Sequence, residues 1–115
     1  MTKNAHERVE APWGFQTIWA KTDSYIGKLI YISAGHRLSL QYHEKKEETV
    51  YVLSGILYVT DGEGKEHKLY PGESYHVLPG EIHRFSAKES SVKIMEVSSP
   101  YNDDVVRIED DYNRH

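Results

Sequence analysis

The sequence predicts an all-β fold, a small antiparallel barrel or jelly roll. Three observations carry that expectation: many short strand-like runs, Gly- and Pro-containing turns between them, and no segment with helical periodicity over three turns. Ile, Val and Tyr, which favour strands, are frequent. Closing the sheet into a barrel also removes exposed edges that would invite aggregation.

The elements follow in order. Met1 to Ala11 is polar and reads as a flexible segment ahead of a single domain spanning residues 12–115. Pro12-Trp13-Gly14 punctuates the chain before the first run. Phe15–Ala20 reads as a strand, Asp23-Ser24 as a turn, and Tyr25–Ser33 as a second strand. Ala34-Gly35 turns the chain into a third strand, Leu38–His43. The charged loop Glu44–Glu47 leads to Thr49–Leu53, and Ser54-Gly55 separates that strand from Ile56–Thr60. Asp61-Gly62-Glu63-Gly64 is a strong hairpin turn, because Gly takes positive φ without strain. Lys65–Tyr70, Ser74–Leu78, Ile82–Phe85 and Val92–Val97 complete the strands, with Pro71-Gly72 and Pro79-Gly80 as tight turns. The acidic tail from Asn102 to His115 has Val105, Val106 and Ile108 as its only apolar anchors and reads as a short helix or a segment lying across the barrel.

Composition narrows the classes of function. A chain of 115 residues suits one compact domain. Nine Tyr and two Trp against two Phe favour half-buried sheets and contact surfaces, since Tyr and Trp join apolar area to a polar handle. A net charge of −4 argues against nucleic-acid binding by phosphate neutralisation. Without cysteine, any metal must sit on His, carboxylate, amide or backbone oxygen. The N-terminal stretch has no apolar core of a signal peptide, and no apolar run reaches the length of a membrane span. A soluble, cytoplasmic protein without a membrane partner is the expectation.

The chemistry concentrates in Leu38-Ser39-Leu40-Gln41-Tyr42-His43. Alternate residues of a strand share a face, so Ser39, Gln41 and His43 point one way and Leu38, Leu40 and Tyr42 the other. Glu48 follows a short loop, and His83 follows a Pro-Gly turn. Two imidazoles, one carboxylate and one amide oxygen form a donor set for a divalent ion with room for water or substrate. The face carrying Leu38, Leu40 and Tyr42 needs cover of its own, and a homodimer partner is the preferred expectation.

The full spacing resembles the two motifs of the cupin superfamily. The first reads Gly35, then Gln41 and His43, then Glu48, then Gly55. The second reads Gly72, then Leu78-Pro79-Gly80, then His83. The connecting stretch from Ile56 to Pro71 is short, as in microbial cupins. Gln41 replaces the usual first His, and the proline stands one residue later than the pattern, at Pro79. Gln-x-His at this place is similar to the cupin domain of type II mannose-6-phosphate isomerases, often fused to mannose-1-phosphate guanylyltransferases. Pro12-Trp13-Gly14, Gly35 through His43, and Val106-Arg107-Ile108-Glu109-Asp110-Asp111-Tyr112 extend that resemblance over nearly the whole chain.

The resemblance implies a small single-domain cupin, a double-stranded β-helix, holding one divalent ion on Gln41, His43, Glu48 and His83. Zinc is the family-based choice, with manganese, nickel or iron open. A single strand histidine is usually structural, but joint placement in two spaced motifs favours ligation. Glu47 rivals Glu48 by register, and the six-residue interval to Gly55 favours Glu48. Arg37, Arg84 and Arg107 can bind a sugar phosphate, since Arg makes bidentate contacts with phosphate oxygens. Arg107 and Arg37 are the catalytic candidates, and no residue is singled out as base. His36 and His76 lie outside the ligand pattern and read as structural or supporting. Three functions compete: a metal-dependent isomerase of a phosphorylated sugar, a cupin oxygenase or lyase, and a carbohydrate-binding or regulatory cupin without catalysis.

Overall fold

Period-2 alternation of apolar residues builds nearly every element. The computed structural model describes residues 6–101 and 103–114, and all regular structure among them is β. The strands are β1 (Glu7–Ala11), β2 (Gly14–Lys21), β3 (Ile26–Ile32), β4 (Leu40–His43), β5 (Glu48–Ser54), β6 (Leu57–Asp61), β7 (Glu66–Leu69), β8 (Ser74–Val77), β9 (His83–Ser86), β10 (Val92–Ser98) and β11 (Val105–Glu109). Two antiparallel sheets face each other. One has the order β1-β2-β3-β10-β5-β8, the other β11-β4-β9-β6-β7. This is the double-stranded β-helix of the cupins.

The core lies between the sheets. Ile30, Ile32, Val50, Val52, Val59 and Phe85 are among its buried members. The inward positions of the larger sheet form rungs: Ile30, Ile94 and Val52 on one, Lys28, Glu96 and Val50 on the next. The interior is therefore apolar at one end and charged at the other. A barrel of this size fills its inside with side chains, so a charged layer there is a deliberate departure from core packing.

Three expectations change. Glu7–Ala11, read as flexible, pairs along its length with β2, from Glu7 opposite Ile18 to Ala11 opposite Gly14; residues 1–5 lie outside the described residues. Its alternation is weak because it is a sheet edge with one half-buried face. The tail from Val105 is a strand, not a helix: β11 pairs with β4, setting Arg107 opposite Gln41. Leu38 does not share an outward face with Leu40 and Tyr42. β4 begins only at Leu40, and Leu38 turns in to pack on the core, its amide donating to the Phe85 carbonyl at 2.9 Å.

Candidate metal centre

Three strand ends meet at the charged end of the barrel. His43 closes β4, Glu48 opens β5 and His83 opens β9. The loop between β4 and β5 is short, so His43 and Glu48 stay together although they belong to different sheets. Gln41 lies opposite His83 across the β4–β9 pair. All three of His43, Glu48 and His83 are buried, and one ligand atom from each lies within 4.8 Å of the others.

The donor atoms point at one another without satisfying one another. His83 Nε2 lies 3.0 Å from Glu48 Oε1, yet the pair lacks hydrogen-bond geometry and both atoms are buried without a hydrogen-bond partner. Such orphaned polar atoms are costly unless a third group completes them. The far side of each imidazole is fixed. His83 Nδ1 lies 2.9 Å from the Glu81 carbonyl, and His43 Nδ1 lies 3.2 Å from Asp104 Oδ1. Both acceptors call for an N–H on Nδ1, which leaves Nε2 of each ring with its lone pair turned inward, as a metal ligand requires.

Gln41 sits beside this group. Its Nε2 is 3.4 Å from His43 Nε2, and its Oε1 accepts from Ser39 Oγ at 2.5 Å. Because the Ser39 hydroxyl both donates and accepts, it holds the amide equally well after a half-turn that brings Oε1 to the ligand point.

Three further charged groups, Lys46, Glu96 and Lys28, adjoin the triad. Lys46 Nζ lies 3.0 Å from Glu48 Oε2 and 3.1 Å from Glu96 Oε2, and all three side chains are buried. Burial would depress the Lys46 ammonium, but Glu96 and Glu48 raise it. Burial likewise opposes the Glu48 charge, while the Lys46 ammonium favours it, and the carboxyl lies well below the usual range. Burial and the Glu48 charge push Glu96 up to about 7. Lys28, opposite Glu96 on β3, is lowered by burial and by Lys46. Burial and Lys46 also lower His43, which favours the neutral imidazole that ligation needs.

His43 and Glu48 of the triad open on a cavity of about 320 Å³. Its wall includes Gln41, His43, Glu48, Lys28, Lys46, Glu96 and Arg107 together with Val9 to Trp13 and Arg114. The sequence-derived residues thus divide. Gln41, His43, Glu48 and His83 come together, and Arg107 joins them across the cavity. Arg37 does not: it is bound bidentately to Asp111 at 2.7 and 2.9 Å and lines a separate surface recess. Arg84 is buried in contacts to the Leu38 carbonyl and Glu109. Glu47 turns outward to His76 at 2.6 Å, and His36 stacks on Tyr112.

Lys28, Lys46, Glu96 and Asp104 were not read from the sequence. Two of them carried a signal. Lys28 falls in phase with Ile26, Ile30 and Ile32, and Glu96 with Val92 and Ile94. A charge in the apolar phase of a strand marks either an edge or a functional interior.

Facing antiparallel sheets with two histidines and a glutamate converging inside the mouth define a cupin. The family model described as "Mannose-6-phosphate isomerase C-terminal" matches residues 1–110, and the chain belongs to that family. It is 29% identical over 108 residues to mannose-1-phosphate guanylyltransferase RfbM of Salmonella typhimurium, covering 90% of this chain and 22% of that protein. The chain therefore spans less than a quarter of that relative's length. The fold matches KdgF from Halomonas sp. with a TM-score of 0.75 and 25% identity over 88% of this chain and 90% of that one. It also matches a cupin-superfamily sugar phosphate isomerase from Silicibacter pomeroyi with a TM-score of 0.63 and 22% identity over 73% and 59%.

Proposed function

We propose that this domain is a metal-dependent isomerase interconverting a phosphorylated aldose and ketose, with mannose 6-phosphate and fructose 6-phosphate as the pair. The observation that carries the reading is the unsatisfied convergence of His83 Nε2 and Glu48 Oε1, with His43, beside a cavity that Lys28 and Arg107 also line. Membership of the mannose-6-phosphate isomerase family supports the choice of substrate.

His43, Glu48, His83 and Gln41 would hold the ion, with zinc first in order and manganese, nickel and iron behind it. A divalent ion supplies Lewis-acid polarisation of a carbonyl or hydroxyl at the reacting carbons. The chain's own residues do the rest. Asp104 and the Glu81 carbonyl fix the two imidazoles. Lys46 holds Glu48 Oε2, so that Oε1 is the oxygen turned to the site. Arg107 reaches the same cavity from β11 and is placed to bind the substrate's anionic group. A cytoplasmic homodimer belongs to the same reading: Tyr51, Leu53 and Val97 are exposed on the outward side of β5 and β10, and sedimentation velocity tests it.

The function is tested on protein purified without a histidine tag and reconstituted with each metal in turn. Conversion of mannose 6-phosphate is followed by a coupled assay, with the double variant His43→Ala/His83→Ala as control. Metal-dependent turnover that the control loses is the expected result. Stoichiometric metal with no turnover overturns the isomerase and leaves a binding domain.

A further inference from the structure

Two cations of the cavity make no ion pair among the described residues. Lys28 is only 5% exposed and lines the cavity, yet makes no hydrogen bond or ion pair among the described residues. Its register partner Glu96 commits its carboxylate to Lys46 at 3.1 Å. Arg107 lines the cavity from the facing sheet. Its Nε is buried without a partner, and its Nη1 donates only to the Arg114 carbonyl at 3.3 Å.

The other cations on the wall are committed. Lys46 bridges two carboxylates, and Arg114 binds Asp110 with two nitrogens, at 2.8 and 3.0 Å. A buried ammonium without a partner is expensive, and a barrel interior has many apolar residues that would fill the place of Lys28 at no such cost. A divalent ion held by the triad would add further positive charge beside the same space. The carboxylates on the wall are held by other partners, Glu96 and Glu48 by Lys46 and Glu10 by Arg8, which leaves Lys28 and Arg107 to an anion from outside.

We propose that Lys28 and Arg107 form an anion subsite within the metal cavity that takes the phosphate monoester or carboxylate group of a small ligand, gripped between the two sheets while the rest of the ligand reaches the metal triad. The guanidinium supplies directed donors and the ammonium a mobile point charge, a combination suited to a multi-oxygen anion. A cavity of about 320 Å³ falls at the lower end of small-molecule sites, about 300–1,000 Å³. The subsite deepens the sugar-phosphate reading and rests on it for the class of ligand.

The test is calorimetric binding to the full chain, with and without zinc, using mannose, mannose 6-phosphate, mannuronate and inorganic phosphate. Mannose 6-phosphate is expected to bind at least about tenfold more tightly than mannose. Lys28→Met and Arg107→Gln should each abolish that advantage without changing the weak binding of mannose, while Lys68→Met on the outer surface changes nothing. If mannuronate rather than mannose 6-phosphate gains the Lys28- and Arg107-dependent affinity, the subsite stands as a carboxylate site and the sugar-phosphate reading falls. Turnover with unaltered KM in both variants overturns the subsite and leaves the isomerase. Circular dichroism checks that the variants fold. Should Lys28→Met fail to fold, Lys28→Arg and the unmodified chain decide: no competition between millimolar phosphate and mannose 6-phosphate overturns the proposal.

Discussion

Asp104 Oδ1 lies 3.2 Å from His43 Nδ1, while its other oxygen accepts the backbone amides of Lys45 and Lys46 at 2.7 and 3.0 Å. One carboxylate therefore fixes both the tautomer of the His43 imidazole and the loop that carries Lys46. Burial opposes its charge, but those amides and His43 keep its carboxyl below the usual range. Asp104→Ala is expected to weaken zinc binding about 10- to 100-fold, measured by competition with a chromogenic chelator. Unchanged affinity would show that His43 needs no such support.

Lys46 is the shared cation of two buried carboxylates. Lys46→Met leaves Glu48 and Glu96 facing each other without it. In metal-free protein the loss should be about 3–5 kcal/mol in urea unfolding, the cost of breaking a buried ion pair from one side. The double variant Lys46→Met/Glu96→Leu should recover part of it. Equal stability of the single variant and the parent would mean that the pair is shared with water.

Gly35 and Gly55 share a positive φ, +79° and +78°, but not a neighbourhood. A Cβ at Gly55 would lie 2.2 Å from the Ser91 carbonyl oxygen, whereas one at Gly35 meets nothing within 4 Å. Gly35→Ala should therefore cost only the left-handed strain, about 1–2 kcal/mol. Gly55→Ala should cost more, because backbone must also move. Thermal unfolding of the two variants side by side reads the difference, and the reverse order would rule out the steric account.

Arg114 holds the Asp110 carboxyl at about 2, helped by the Arg114 backbone amide. Because the folded value is the depressed one, this pair contributes stability above the ordinary carboxylate range and loses it as pH falls from about 4 through about 2. The stability difference between the parent and Asp110→Asn should shrink across that window. A difference constant from neutral pH to about pH 2 contradicts it. The measurement is urea unfolding at stepped pH.

Alternation of large apolar residues, broken by Gly and Pro, made β2 through β10 legible, since those strands bury one face of a sheet. It failed at β1 and β11, in which every residue stays at least partly exposed, whereas the other two edge strands, β7 and β8, each bury an apolar residue, Leu69 and Val77. At the site, motif spacing located Gln41, His43, Glu48 and His83, because short loops and strand ends tie spacing to position. Arg37 and Arg107 looked alike in sequence; only the β4–β11 register puts Arg107 opposite Gln41 and leaves Arg37 with Asp111. Asp104 was hidden for the same reason, as it reaches His43 from 61 positions along the chain.

The cavity wall is drawn from both extremities of the polypeptide, with Val9 to Trp13 on one side and Val105, Arg107 and Arg114 on the other. These segments include or adjoin edge strands of opposite sheets, so the two act as a clasp over the cavity. A ligand bound beneath a clasp resists its opening. Amide hydrogens of β1 and β11, the two edge strands that border this cavity, should then be slowed more by a bound ligand than those of β7 and β8, the other two edges.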